Sequence, residues 1–285
     1  MNRKVRKRQL QVREPAAPRW AGLGPLAPAA AVLGVILVTV CGMEILRHRV
    51  MSVPEYNPAL SVKLEYPPGS EWVEQEGWLP RIGSCVRLPP EQRLMDENLL
   101  SGVAEQMLAS GWVRGVSRIT RGMDGVIRVC CDYRRPIAML LTNHGKYIPI
   151  DQDGVRLPEE YDQVDSDSGW MRILGVQADP PQIGHAYGEG GRDDADAVAA
   201  VRLAALLFAQ EEIVNRISGI DVTNFNGRED KYKTHILLWT RDHRPIKWGS
   251  AIGSEVEEPE VADKLRNLVL WLKRSSPQAY ADLSV

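Results

Sequence analysis

The stretch Trp20 to Met43, WAGLGPLAPAAAVLGVILVTVCGM, carries no charged residue. A bilayer core is crossed by about 20 mainly apolar helical residues, and this run supplies them, most densely from Leu26 onward. Its flanks differ. Arg3, Lys4, Arg6, Lys7, Arg8, Arg13 and Arg19 precede it against the single acid Glu14, whereas Glu44, Arg47, His48 and Arg49 follow it. The denser basic flank is the one retained in the cytoplasm. The sequence therefore predicts a basic cytoplasmic tail over 1–20, a transmembrane helix over 21–46, and an exterior position for everything after about His48. A cleaved signal peptide has an apolar region of about 7 to 15 residues and a small-x-small site. This run is longer, and Glu44-Ile45-Leu46 is a poor cleavage site. Val40 before Cys41 does not fit a lipoprotein signal.

The 285 residues leave room outside the anchor for one large or two small domains. The net charge is −2, and since the tail is basic, the exterior part is mildly acidic. No basic field for nucleic acid exists outside the tail. Of the four cysteines, Cys41 lies in the anchor and Cys85, Cys130 and Cys131 lie beyond it. Adjacent strand residues point to opposite faces, so Cys130 and Cys131 do not easily bridge each other without strain. Cys85 pairing with either, or buried free thiols, are both open.

Residues 47–87 hold Pro54, Pro58, Pro67, Pro68 and Pro80 and read as largely irregular, with Ser61 to Tyr66 alternating as a candidate first strand. Arg93 to Ser110 has Leu99, Leu100, Val103, Met107 and Leu108 at helical spacing, with Asp96 as N-cap and Gly111 as stop. Trp112 to Ile119 and Val126 to Tyr133 read as strands around the turn Gly122-Met123-Asp124-Gly125. Ile137 to Thr142 and Tyr147 to Ile150 form a hairpin, and further strands follow at Val155 to Leu157 and Trp170 to Val176. A helix runs from near Asp193 to about Val214. Strands then cover Ile217 to Val222, His235 to Thr240 and Pro245 to Trp248. In the last helix, Glu260 to Lys273, Val261, Leu265, Leu268, Val269 and Leu272 share one face. The fold class is α+β, with a division near 140–145.

Motifs for catalysis do not stand out. His48, His144, His185, His235 and His243 are scattered without metal-ligand spacing. The glycines from Gly184 to Gly191 do not open a phosphate cradle, and Ser250 is misplaced for a nucleophile elbow. Asp151, Asp153 and Gly154 form a fragment of a calcium loop without its remaining ligands, which favours a hairpin turn. The expected protein is therefore not an enzyme and uses no metal, cofactor or small-molecule substrate.

Several stretches together resemble the FtsQ/DivIB family of bacterial cell-division proteins. Gly111-Trp112-Val113-Arg114-Gly115-Val116 looks like the family's P-W-V-x-x-V, and Arg135-Pro136-Ile137-Ala138 its R-P-V-A. Tyr147 to Gly154 is similar to its hydrophobic strand ending in D-x-x-G. Ile246-Lys247-Trp248-Gly249 and Lys264-Leu265-Arg266-Asn267-Leu268 are similar to its terminal strand and K-L-x-x-L helix. Gly111 stands where the family has proline and Tyr133 where it often has glutamate. The resemblance implies a POTRA-like βαββ domain, here with its core over 88–140, and a strand-rich β domain with two helices over 141–285. It implies a single-pass scaffold of the inner membrane that recruits FtsB/FtsL-like division proteins to the septum. Little chain follows the last helix, so Tyr280, Ala281, Asp282, Leu283, Ser284 and Val285, with Trp248 nearby, are the candidate partner-binding residues at an open sheet edge. A membrane-anchored hydrolase of envelope polymer and a POTRA-type transport or assembly module are the alternative readings.

Overall fold

The computed structural model describes residues 26–52, 58–165, 168–189, 194–274 and 280–285. The chain divides into two units, 1–57 and 58–285. In the first, helix α1 spans Leu26–Ser52, 27 residues, or about 40 Å at 1.5 Å per residue. Its stretch Ala30–Arg49 is 20 residues long with a mean hydropathy of 2.0 and none of it buried. Val32, Leu33, Ile36, Leu37 and Val38 stand exposed around it. A helix apolar on every side requires an apolar surrounding, and this one is long and apolar enough to cross a membrane. The expected anchor began at 21. Residues 21–25 lie outside the described residues, and the helix continues past Leu46 to Ser52.

The second unit is mixed α+β and contains two sheets. The smaller is three-stranded, in the order β1-β3-β2. Strand β1 (Ser61–Glu65) lies parallel to β3 (Val126–Tyr133), with Leu64 opposite Val129. Strand β2 (Val113–Arg121) runs antiparallel to β3 with two register shifts. The expected Gly122-to-Gly125 turn joins them. Gly122 N–H donates to Val126 O at 2.9 Å, and the Asp124 carboxylate accepts from Val126 N–H at 3.1 Å. Alternate β3 residues Ile127, Val129, Cys131 and Tyr133 point inward, as their period of two requires. Helix α4 (Leu99–Ala109) covers them with Leu99, Val103 and Met107.

Two short helices complete that core: α2 (Trp72–Gln75), burying Val73, and α3 (Leu79–Gly83), burying Ile82. The expectation of an irregular span is corrected here. Pro80 sits in the first turn of α3, where a missing N–H costs nothing. Asp96 does not cap α4, whose N-cap is Asn98. Its carboxylate closes a preceding turn instead, accepting from Arg93 N–H at 2.8 Å.

The larger sheet has seven strands in the order β10-β9-β8-β7-β6-β4-β5. Strand β4 (Pro136–Leu141) pairs antiparallel with β5 (Tyr147–Asp151) and parallel with β6 (Met171–Leu174). Helix α5 (Ala195–Phe208) carries the chain from β6 to the parallel strand β7 (Ile217–Asp221). Strands β8 (Ile236–Thr240) and β9 (Pro245–Gly249) continue as an antiparallel meander. Helix α7 (Val261–Lys273) follows, and β10 (Ala281–Asp282) ends the sheet parallel to β9. Ala197, Ala200, Leu203, Ala204 and Leu207 of α5, together with Leu268, Trp271 and Leu272 of α7, belong to one core with the inward residues of the strands.

The helix expected from near Asp193 to Val214 is two helices, α5 and α6 (Glu211–Val214), separated at Ala209 and Gln210. Its expected start at Asp193 lies outside the described residues. Val155 to Leu157 forms isolated bridges, Ile150 to Arg156 and Val155 to Ala186, instead of a strand.

The chain passes from one sheet to the other at Arg134 and Arg135. The point expected near 140–145 falls in the β4–β5 hairpin, and the first strand, placed before 88, belongs to the small sheet. Arg134 N–H donates to Trp112 O at 2.8 Å, and its Nη1 to the fully buried Asp151 carboxylate at 2.8 Å. Arg114 reaches the same carboxylate at 3.4 Å and Asp153 at 2.6 Å. Asp151 also accepts from the N–H groups of Asp153 and Val155, each at 2.9 Å. The acidic turn is thus neutralised by arginines from the small sheet and the connection.

Candidate partner-binding edge

A sheet edge presents main-chain groups to whatever lies beside it. In the large sheet, one edge is β5, bridged by Tyr161 and Arg156. The other is β10, formed by the predicted residues. Ala281 lies opposite Ile246 and Asp282 opposite Lys247, and Leu283 N–H donates to Lys247 O at 2.9 Å. In a parallel pairing, a residue's N–H and C=O point to the same side. Ala281 and Leu283 therefore turn theirs toward β9, and Asp282 and Ser284 turn theirs away.

The side chains divide differently. Ala281 and Leu283 are buried in the core, whereas Tyr280 is 40 % and Val285 87 % exposed. Asp282 organises the exposed side. It pairs with Lys247 Nζ at 3.1 Å and accepts from Tyr280 Oη at 2.9 Å. It also accepts from Ser284 Oγ at 2.5 Å and Ser284 N–H at 3.1 Å. Lys247 Nζ lies 5.1 Å from the Tyr280 ring centre, within cation–π range. Partial burial works against the Asp282 charge, but the Ser284, Lys247 and Tyr280 donors prevail and hold its pKa down to about 2. Hydrogen bonding to Tyr280 and then to Asp282 raises Lys247.

Trp248 is completely buried and does not reach this surface. Lys264 Nζ lies 5.3 Å from its ring centre. The Lys264 side chain is itself fully buried and pairs with Glu258, which also accepts from Ser250 N–H and Oγ. Trp248 thus secures the loop after β9 from within, and Trp239 is half-buried on β8. Lys247 was missed from the sequence as part of this edge. Its alternation opposite Trp248 marks it as outward-facing, but its partner Asp282 lies 35 residues away. Among the described residues, no group of histidine, cysteine and carboxylate side chains has the arrangement to hold a metal ion. The cysteines are free thiols, and burial pushes Cys131 up to about 11.

No protein-family model matches the chain, and no curated protein is significantly similar to it.

Proposed function

We propose that this chain is a non-enzymatic, membrane-anchored scaffold of the bacterial divisome, similar to FtsQ/DivIB proteins. The observation that carries the reading is the order of parts. A helix able to span a membrane precedes a small strand–helices–strand–strand sheet, which supports a POTRA-like domain. A larger sheet follows, ending on the short edge strand β10. The residues that resemble the family motifs lie at or within these elements: Trp112 just before β2, Pro136 opening β4, Asp151 closing β5, and Lys264 in α7. With the basic tail in the cytoplasm, the sheets stand outside it. An FtsB- or FtsL-like partner adds a strand beside β10.

A reporter fused at Asn2 is expected inside the membrane and one fused after Val285 outside. A fluorescent fusion is expected to gather at the septum, and an even distribution around dividing cells would count against the scaffold reading. Deleting 279–285 should abolish partner co-purification while 58–274 stays folded. Unchanged co-purification would remove β10 as the docking edge.

A further inference from the structure

A cleft of about 880 Å³ opens between α2–α3 on one side and β4, β6 and the end of α5 on the other. That volume is within the range of small-molecule sites, which combine apolar and aromatic walls with a few placed polar groups. Aromatic surface comes from Trp170, Tyr161 and Phe208, and apolar surface from Met139 and Met171. Trp170 meets Trp78 edge to face, with centroids 6.2 Å apart and planes at 70°. Trp170 is half-buried against the small-sheet core and gives its remaining indole surface to the cleft.

The lining mixes charges, with Arg81 and Arg135 beside Glu76, Asp165 and Glu211. Arg81 Nη1 pairs with Glu159 at 3.0 Å and bonds Tyr161 Oη at 3.0 Å, while the Tyr161 hydroxyl also bonds Glu159. Arg135 Nη2 pairs with Glu76 at 2.6 Å, and its guanidinium lies over the Trp72 and Phe208 rings. A carboxylate or phosphate ligand would meet three acidic lining residues against two arginines that are already paired. A neutral ligand avoids that repulsion and can still bond the arginines, because each guanidinium carries five donors in a planar fork and these contacts run through one nitrogen of each. Gln163, Ser168 and Asn215 add neutral donors and acceptors, and Glu211 a further acceptor.

We propose that this cleft binds a neutral saccharide. A pyranose ring has an apolar C–H face, which suits the indole surface that Trp170 gives the cleft, and a rim of adjacent hydroxyls. The hydroxyls suit the planar Arg81 and Arg135 forks and the amides of Gln163 and Asn215. Pairs of neighbouring hydroxyls match planar two-point donors, while the apolar face offers nothing for them to bond. This combination separates a sugar from a fully apolar ligand, which would leave those polar groups desolvated without partners.

The test is calorimetric titration of the full chain in an amine-oxide detergent, since glycosidic detergents would compete. The probes are chitotetraose and maltotetraose. Saturable binding of at least one is expected at ~10 mM sugar or below, a weak-ligand range. Trp170→Ala should weaken it by roughly tenfold, the value of about one aromatic contact. Tyr232→Ala, at an exposed loop position outside the cleft, should leave it unchanged. If Trp170→Ala unfolds the domain, the double variant Glu211→Ala with Asn215→Ala must weaken binding instead. No saturable binding of either sugar overturns the proposal, as does binding that neither cleft variant weakens. Binding of a hexa-arginine peptide in place of both sugars would assign the cleft to a cationic ligand and also overturn it.

Discussion

Trp112 shows how one side chain can organise the small sheet. It is 1 % exposed, and its ring lies 4.9 Å from that of Trp78, centroid to centroid. Its carbonyl receives Arg134 N–H, so the same residue also touches the connection to the large sheet. Trp112→Ala should cost about 3 to 5 kcal/mol, since the cavity cannot collapse against two other elements. Urea denaturation checks this, and a change near zero would mean that the ring is dispensable. The preceding Gly111 stands where the FtsQ/DivIB pattern that this stretch resembles has proline. Its φ is +79°, and a Cβ there would approach Ile183 Cγ2 at 2.6 Å and Gly184 N at 3.3 Å. Proline is locked near φ −65°, so Gly111→Pro should destabilise by about 3 kcal/mol or more. Gly111→Ala should cost about 1 to 2 kcal/mol from the left-handed backbone alone. Stability measured for both variants gives the order glycine, alanine, proline, and a stable proline variant would contradict the local geometry.

At the scale of elements, β10 is the shortest strand of its sheet, and a charge secures it. Folding lowers the Asp282 pKa from 3.8 to about 2. A depressed carboxylate stabilises fully above its unfolded pKa, and the contribution fades as pH falls through the folded one. The strand should therefore loosen progressively from about pH 4 to about pH 2. The Ser284 amide resonance is a suitable monitor, since that N–H donates to Asp282. Asp282→Asn should lack the transition, and a persistent titration in that variant would place its origin elsewhere. Legibility from sequence varies along the same lines. The face of α7 and the β4–β5 hairpin were readable because their periodicity and turn residues are local. Helices α2 and α3 were not, because four or five residues carry too little periodicity and Pro80 reads as punctuation. The break at Ala209 and Gln210 was hidden by apolar residues continuing on both sides. At the candidate edge, Tyr280 to Val285 drew notice by position. The attachment of β10 to β9 and the Lys247–Asp282 pair depend on distant contacts that no local pattern encodes. The cleft is also non-local, since its walls come from residues between Glu76 and Asn215.

At the scale of the whole molecule, two sheets with separate cores form one compact unit over 58–285. The Asp151 cluster is the buried polar link between them, beside the exposed Arg81–Glu159 and Arg81–Tyr161 contacts, since its partners Arg114 and Arg134 lie on β2 and on the connection. Removing one member of a buried ion pair leaves uncompensated charge, typically costing about 3 to 5 kcal/mol. Part of that is recovered here, because the Arg134 and Arg114 side chains are 18 % and 30 % exposed and can gain water. The effect of Asp151→Ala should be seen less in total stability than in cooperativity. Cys131, buried in the small sheet, reports opening of that sheet when the chain also carries Cys41→Ser, Cys85→Ser and Cys130→Ser. Its thiol, pushed up to about 11 by burial, reacts slowly with alkylating agents until exposed. With Asp151 present, Cys131 labelling and loss of β7–β8 amide protection should follow the same urea dependence, as expected for one cooperative unit. With Asp151→Ala, Cys131 should become reactive at lower urea while the β7–β8 amides remain protected, because the small sheet has lost its buried polar tie. If the two probes stay coincident in that variant, the sheets are coupled through apolar contacts such as Leu157, which belongs to the small core although it follows β5. In that event the Asp151 cluster sets the local geometry of the connection without joining the two sheets thermodynamically.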